Sequence, residues 1–254
     1  MAHAVVHFEI GGPDDDQLAD FYADLFGWGM TPIPGVGYTL IDTRGGAGIN
    51  GGIARSPDDE SSVTFYIETD DLQAALDKIN LLGGKTQTPI SELPGMVTYA
   101  RFADLDGLPI GLVLEPPDPG QAIAPSAGTG AAVDWFEVLG ADAGRCQRFY
   151  AEVFGWKTAG AASRYQLVDT GTPRGIRGGI GTAEVGSRAT VYAAVTDVAA
   201  ALARAEELGG SREHGPAAVD DHMQTGALRD PAGNVFGVYH HAPHKASAHS
   251  AIQD

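Results

Sequence analysis

Phe21-Tyr22-Ala23-Asp24-Leu25-Phe26-Gly27-Trp28 returns as Phe149-Tyr150-Ala151-Glu152-Val153-Phe154-Gly155-Trp156, shifted by 149 − 21 = 128 positions in a chain of 254 residues. The register extends well past this phrase. His7-Phe8-Glu9 matches Trp135-Phe136-Glu137 at the same offset, Gly51-Gly52-Ile53 matches Gly178-Gly179-Ile180 one residue short of it, and Asp104 to Gly107 matches Asp230 to Gly233 at 230 − 104 = 126. Small loop deletions account for the drift, so the chain is read as a tandem duplication.

Local patterns place elements inside each half. Val5 to Ile10 is β-rich, Asp14-Asp15-Asp16 suits a helix N-terminus, and Leu18, Phe21, Tyr22, Leu25 and Phe26 recur at helical spacing until Gly27 ends the run. Tyr38 to Ile41 and Ile49 to Ile53 follow as strands around the turn Arg44-Gly45-Gly46. A second unit has a strand at Val63 to Ile67, a helix from about Leu72 to Leu82 and strands at Val97 to Phe102 and Leu108 to Leu114. The other half predicts helices near Ala143 to Phe154 and Val198 to Leu208. Four units of strand, helix and two or three strands result. The expected division is a domain over 1–115, a Pro/Gly/Ala-rich linker over 116–132, a domain over 133–241 and a flexible tail over 242–254.

Composition narrows the partners. No apolar run approaches the roughly 18 residues of a membrane span, and Met1-Ala2-His3-Ala4 has no basic-then-apolar leader, so a soluble cytoplasmic protein is expected. The net charge of −17, from 33 acidic against 16 basic residues, repels phosphate backbones and argues against nucleic acid. The single cysteine, Cys146, excludes an internal disulfide and sits in a helical stretch as a small buried residue.

Phe-Tyr near the end of the first helix, Phe-Gly-Trp just after it and Asp-x-x-Gly before the last strand, each present twice, resemble the vicinal oxygen chelate superfamily of glyoxalases, extradiol dioxygenases, and fosfomycin and bleomycin resistance proteins. The resemblance covers nearly everything from His3 to His241. It implies an α+β fold of four βαβββ modules, paired into two cupped, incomplete β-barrels with helices outside. It also implies metal ligands in the cups of the catalytic members: His or Gln on a first strand, Glu late in that unit, His or Gln on the next opening strand and Glu on its last strand.

Counted from the motifs, those positions fall on His7, Gly51-Gly52, Thr64 and Gly111 in one half, and on Trp135, Gly178-Gly179, Thr190 and Gly237 in the other. One imidazole in eight places does not make the three-ligand site that a catalytic divalent ion needs. No metal and no cofactor are therefore expected. Strand alternation adds Glu9, Tyr66, Glu137, Tyr192 and Tyr239 to the inward faces. The candidate ligand-binding set is thus His7, Glu9, Gly51, Gly52, Thr64, Tyr66, Trp135, Glu137, Gly178, Gly179, Thr190, Tyr192 and Tyr239, read as a wide apolar floor with a few polar handles.

Several of these carry two readings. The glycine pairs either admit a bulky ligand or mark bulges, and Glu9 and Glu137 are either repeated structural hydrogen-bond acceptors or bases. Trp28 and Trp156 are expected to pack, Gly45 to Gly48 to form a turn, and His240, His241, His244 and His249 to belong to the tail region; His222 and Met223 sit at a rim. The leading expectation is a metal-independent protein that binds a hydrophobic or aromatic natural product, for sequestration or as a biosynthetic accessory, as a monomer or homodimer. The alternatives are a glyoxalase-like lyase or metal-free isomerase or cyclase, and an interaction protein whose cups are filled by its own side chains.

Overall fold

Asp14, Asp71, Asp142 and Asp197 begin the four helices in one way. Each accepts a hydrogen bond from the backbone N–H three residues on, at Gln17, Ala74, Arg145 and Ala200, and so satisfies a donor the helix leaves open. The structure is a computed structural model that describes residues 3–56, 60–93, 95–114, 116, 124–159 and 164–242. Residues 117–123 of the expected linker and 243–254 of the expected tail, with His244 and His249, lie outside the described residues.

In the first half the order is β1 (Val5–Gly12), α1 (Asp15–Phe26), β2 (Gly29–Ile33), β3 (Tyr38–Asp42), β4 (Asn50–Arg55), β5 (Ser62–Thr69), α2 (Leu72–Leu81), β6 (Lys85–Leu93), β7 (Val97–Ala103) and β8 (Pro109–Leu114). The second half repeats it with β9 (Val133–Gly140), α3 (Ala143–Phe154), β10 (Lys157–Ala159), β11 (Tyr165–Asp169), β12 (Arg177–Thr182), β13 (Arg188–Ala194), α4 (Val198–Glu207), β14 (Ser211–Ala218), β15 (Met223–Arg229) and β16 (Val235–His241). Each half forms one open eight-stranded sheet, β2-β3-β4-β1-β5-β8-β7-β6 and its counterpart β10-β11-β12-β9-β13-β16-β15-β14. The two modules of a half meet at an antiparallel seam, β1 with β5 and β9 with β13. No helix among the described residues is long and apolar enough to cross a membrane.

Three strands follow every helix, so β2, β6, β10 and β14 are additions to the strands read from the sequence. All four are sheet edges. β2 and β6 contain Pro32 and Pro89, and β6 and β14 are exposed along most of their length. Edge strands of that kind have no apolar face to advertise them.

The sheets pack back to back. Phe8, Ile10, Phe65 and Ile67 project from one, Phe136, Val138, Val191 and Phe236 from the other, all buried in a core drawn from both halves. Phe65 and Phe136 meet with ring centroids 4.9 Å apart.

The repeated sequence phrase lies at this junction. Tyr22 stacks on Trp28, rings 7° from parallel, and donates its hydroxyl to Asp230 of the other half at 3.0 Å. Tyr150 stacks on Trp156 at 8° and donates to Asp104 at 3.1 Å. The indoles also cross over, Trp28 Nε1 to the Ala131 carbonyl and Trp156 Nε1 to that of His3. Burial pushes both aspartates above the usual carboxylate range, while backbone N–H groups and the tyrosines oppose that shift.

The two clasps are unequal. Asp230 Oδ2 also accepts from Asn234 Nδ2 at 2.9 Å, whereas Leu108 holds that place beside Asp104, whose Oδ2 accepts from Tyr150. Tyr22→Phe and Tyr150→Phe should each lower unfolding stability by about 1–3 kcal/mol, the range for stranding a buried acceptor, with Tyr150→Phe the more damaging. Thermal melts check this at about 2–4 °C per kcal/mol. Two melting points equal to wild type would remove the clasp from the account of stability.

Candidate functional site

On β1 and β9 the residues facing away from the inter-sheet core are His7 and Glu9, and Trp135 and Glu137. Register brings Tyr66 and Thr64 beside the first pair and Tyr192 and Thr190 beside the second. These faces are the cups.

The glycines explain how the tyrosines fit. A Cβ on Gly111 would lie 2.2 Å from the Tyr66 ring and one on Gly52 would lie 2.1 Å from the Tyr38 hydroxyl; Gly237 under Tyr192 and Gly179 under Tyr165 repeat this at 2.3 and 2.1 Å. The tyrosines therefore lie flat on the sheet, where any larger residue would lift them. Gly51 and Gly178 point the other way, against Phe8 and Phe136. Of the two readings of Gly51-Gly52 and Gly178-Gly179, ligand space or bulge, the first is corrected: the chain's own rings lie against them.

In the N-terminal cup the polar groups are joined to one another. His7 Nε2 and the Tyr38 hydroxyl are 2.8 Å apart, Tyr66 donates to Glu9 at 3.0 Å, and Arg101 closes on the second oxygen of Glu9 while lying 5.9 Å over the Tyr66 ring. Burial lowers the pKa of His7 to about 4, so the ring is neutral at physiological pH. Burial, then the Glu9 charge, raises both Tyr38 and Tyr66, which remain protonated donors.

The C-terminal cup keeps the same frame and changes its filling. Tyr192 donates to Glu137 at 2.9 Å and Trp135 Nε1 donates to Tyr165 at 3.3 Å. The positions that pair as Arg101 and Tyr99 do in the first half are Ala227 and Thr225 here. The cation comes instead from Arg188, the counterpart of Ser62, and its nearest Nη stays 3.8 Å from Glu137 Oε2. With no arginine or tyrosine at those two floor positions, a cavity of about 310 Å³ remains, lined by Glu137, Leu139, Arg164, Tyr165, Thr182, Glu184, Arg188, Tyr192, His214 and Thr225. Burial first, and the Glu137 charge second, raises Tyr165 and Tyr192.

Of the residues singled out in the sequence, Glu137 and Tyr192 line this cavity. Thr64 and Thr190 are buried, with hydroxyls given to the carbonyls of Pro109 and Val235. Tyr239 is tied to Asp134 at 2.7 Å and His240 to the Val195 carbonyl at 3.0 Å. Cys146 is buried with its thiol 3.2 Å from Asp106, and burial together with that carboxylate pushes its pKa up, which makes it a poor nucleophile. Arg188, Leu139 and Thr225 were accessible to the same strand alternation that found Glu137. His214 was not, since its edge strand left no pattern. The expected apolar floor is a correction too: two arginines, two glutamates and a histidine line the cavity.

The side chains at the family's ligand positions in the N-terminal cup do not fit a divalent ion. Tyr38 and Tyr66 cover the positions of Gly52 and Gly111, His7 is the one imidazole at a ligand position, and Glu9 is taken up by Tyr66 and Arg101. Among the described residues no three His, Cys, Asp or Glu side chains converge.

Residues 132–239 match the family described as a glyoxalase-like domain. The anthracycline biosynthesis protein DnrV of Streptomyces peucetius is 30% identical over 91% of this chain and 90% of that one. Among solved structures, the Mn(II)-bound glyoxalase from Novosphingobium aromaticivorans superposes with a TM-score of 0.68 at 15% identity, covering 93% of this chain and 81% of that one. The 2,3-dioxygenase LapB from Pseudomonas sp. KL28 gives 0.66 at 15%, covering 96% and 94%. At these identities the structures share the fold, and DnrV carries the kinship in sequence along almost the whole length: the chain belongs to the vicinal oxygen chelate superfamily, as a two-domain, glyoxalase-like member.

Proposed function

We propose that this protein holds a small planar organic molecule in the cup of its C-terminal half, without a metal ion, as an accessory in natural-product biosynthesis. The observation that carries the reading is the difference between two cups built on one frame. Arg101 and Tyr99 stand on the floor of the first, whereas the second, with Ala227 and Thr225 at those positions, has a cavity of about 310 Å³. That volume is at the lower end for small-molecule sites, and flat tyrosines with a few polar groups suit a planar ligand. DnrV, named as an anthracycline biosynthesis protein, favours a biosynthetic setting over sequestration.

Trp135, hydrogen-bonded to a cavity-lining tyrosine, supplies a fluorescent reporter. Alizarin should quench it saturably, and Thr225→Tyr, which restores the ring of the first cup, should weaken that binding by at least about tenfold with an unchanged melting point. Equal affinity in wild type and variant would move the ligand elsewhere. Dialysis against a chelator should leave the titration curve where it was. A stoichiometric ion that survives dialysis, and whose removal abolishes binding, would defeat the metal-independent reading.

His7 reports on the first cup. Its folded pKa of about 4 lies below the 6.5 of the free ring, so protons favour the unfolded chain. The stabilisation is complete above pH 6.5 and is lost progressively as pH falls from 6.5 towards 4. The His7 ring proton resonances should titrate with a midpoint near 4. A midpoint at the free value would show a solvated, open cup.

A further inference from the structure

The charge and shape of the ligand follow from one side chain. Arg188 lines the cavity, its Nε is buried without a hydrogen-bond partner, and its Nη lies 3.8 Å from Glu137 Oε2, too far for a hydrogen bond. Glu137 does not depend on it, because the hydroxyls of Tyr192 and Tyr165 already serve that carboxyl group. In the N-terminal cup Arg101 Nε is likewise buried without a partner, but its Nη closes on Glu9. Arg188 is held back from its glutamate as well, and a part-buried guanidinium left in that state is an unfavourable arrangement that a bound acceptor relieves.

The accessible end of the Arg188 side chain carries its two Nη groups, whose parallel N–H donors match the two oxygens of one carboxylate. Around it the lining is balanced, Arg164 and Arg188 against Glu137 and Glu184. A single added negative charge therefore meets a local cation, whereas a polyanion would work against the net charge of −17. Resting on the binding role proposed above, we infer that the C-terminal cup selects an aromatic monocarboxylate, its carboxylate docked end-on to the Nη groups of Arg188 and its rings lying between Tyr165 and Tyr192.

Isothermal titration of the full chain with hydroxynaphthoate, its methyl ester and alizarin tests this in the wild type, Arg188→Gln and Arg188→Lys. The acid should bind wild type at least about tenfold more tightly than the ester. Arg188→Gln should erase that preference, and Arg188→Lys, which keeps the charge without the fork, should retain part of it. Arg188→Lys also guards against a folding defect in the neutral variant, and melting points monitor both. Acid and ester binding equally well to wild type would overturn the inference while leaving a binding cup in place. An acid preference that persists in Arg188→Gln would overturn it in favour of another cation. Failure of all three probes to bind wild type would remove the inference and the binding role together.

Discussion

The reciprocal clasp between the halves is the constraint on which the rest of the molecule depends. Each tyrosine of the repeated phrase is stacked on the tryptophan six residues later and reaches into the Asp-x-x-Gly turn of the opposite half. Because both partners of every contact exist twice, the arrangement has the reciprocity of a two-fold dimer interface within one chain. Val5 bridges to Ile176 and Ile49 to Val133, so the first strand of each half is paired with the other half at its start. The sheet backs are thereby fixed, and the sheet fronts are left to diverge.

Divergence has been contained by a second device, the tyrosine laid on a glycine. Tyr38 on Gly52, Tyr66 on Gly111, Tyr165 on Gly179 and Tyr192 on Gly237 are four copies of one contact. Each places a phenol near a floor glutamate or its neighbour, and burial keeps these phenols protonated. The same glycines stand where metal-dependent relatives are expected to carry ligands. Replacing any of them with a glutamate would require the covering tyrosine to leave, so the departure from a coordination site is a coupled change of two residues on paired strands and not a deletion of donors alone.

Much of the fold could be read from the chain because its signals are doubled. The helices were legible by apolar spacing, with the acidic turn Asp14 to Asp16 marking the start of the first, the central strands by alternation, and the packing role of Trp28 and Trp156 by their place behind α1 and α3. The outer strands were not legible. Residues Lys85 to Leu93 and Ser211 to Ala218 carry little buried surface, and hydrogen bonding to one neighbour leaves no imprint on side-chain pattern. Glu9 and Glu137 were visible as a repeated pair. Alternation also puts Arg188 on the inward face, but the convergence of Arg101 and Arg188, which come from non-equivalent strands, on equivalent carboxyl groups shows only in the folded register. The glycine pairs kept two readings, ligand space or bulge, because sequence places the gap and says nothing of what fills it.

The two cups differ in how each arginine meets its glutamate, and that difference bears on stability. A buried polar network whose charges are paired adds rigidity, and one left unpaired costs free energy in the absence of a partner. Arg101 closes on Glu9 in the first sheet, and the clasp joins that sheet to the second. The second sheet can then tolerate an Arg188 held off its glutamate, and the small side chains of Ala227 and Thr225, without loosening the β9 and β13 seam that positions Glu137. A single-cup ancestor would have had to balance both demands in one sheet. Duplication separates them, so that the wider Arg188–Glu137 pair of one sheet sits beside the closed Arg101–Glu9 pair of the other.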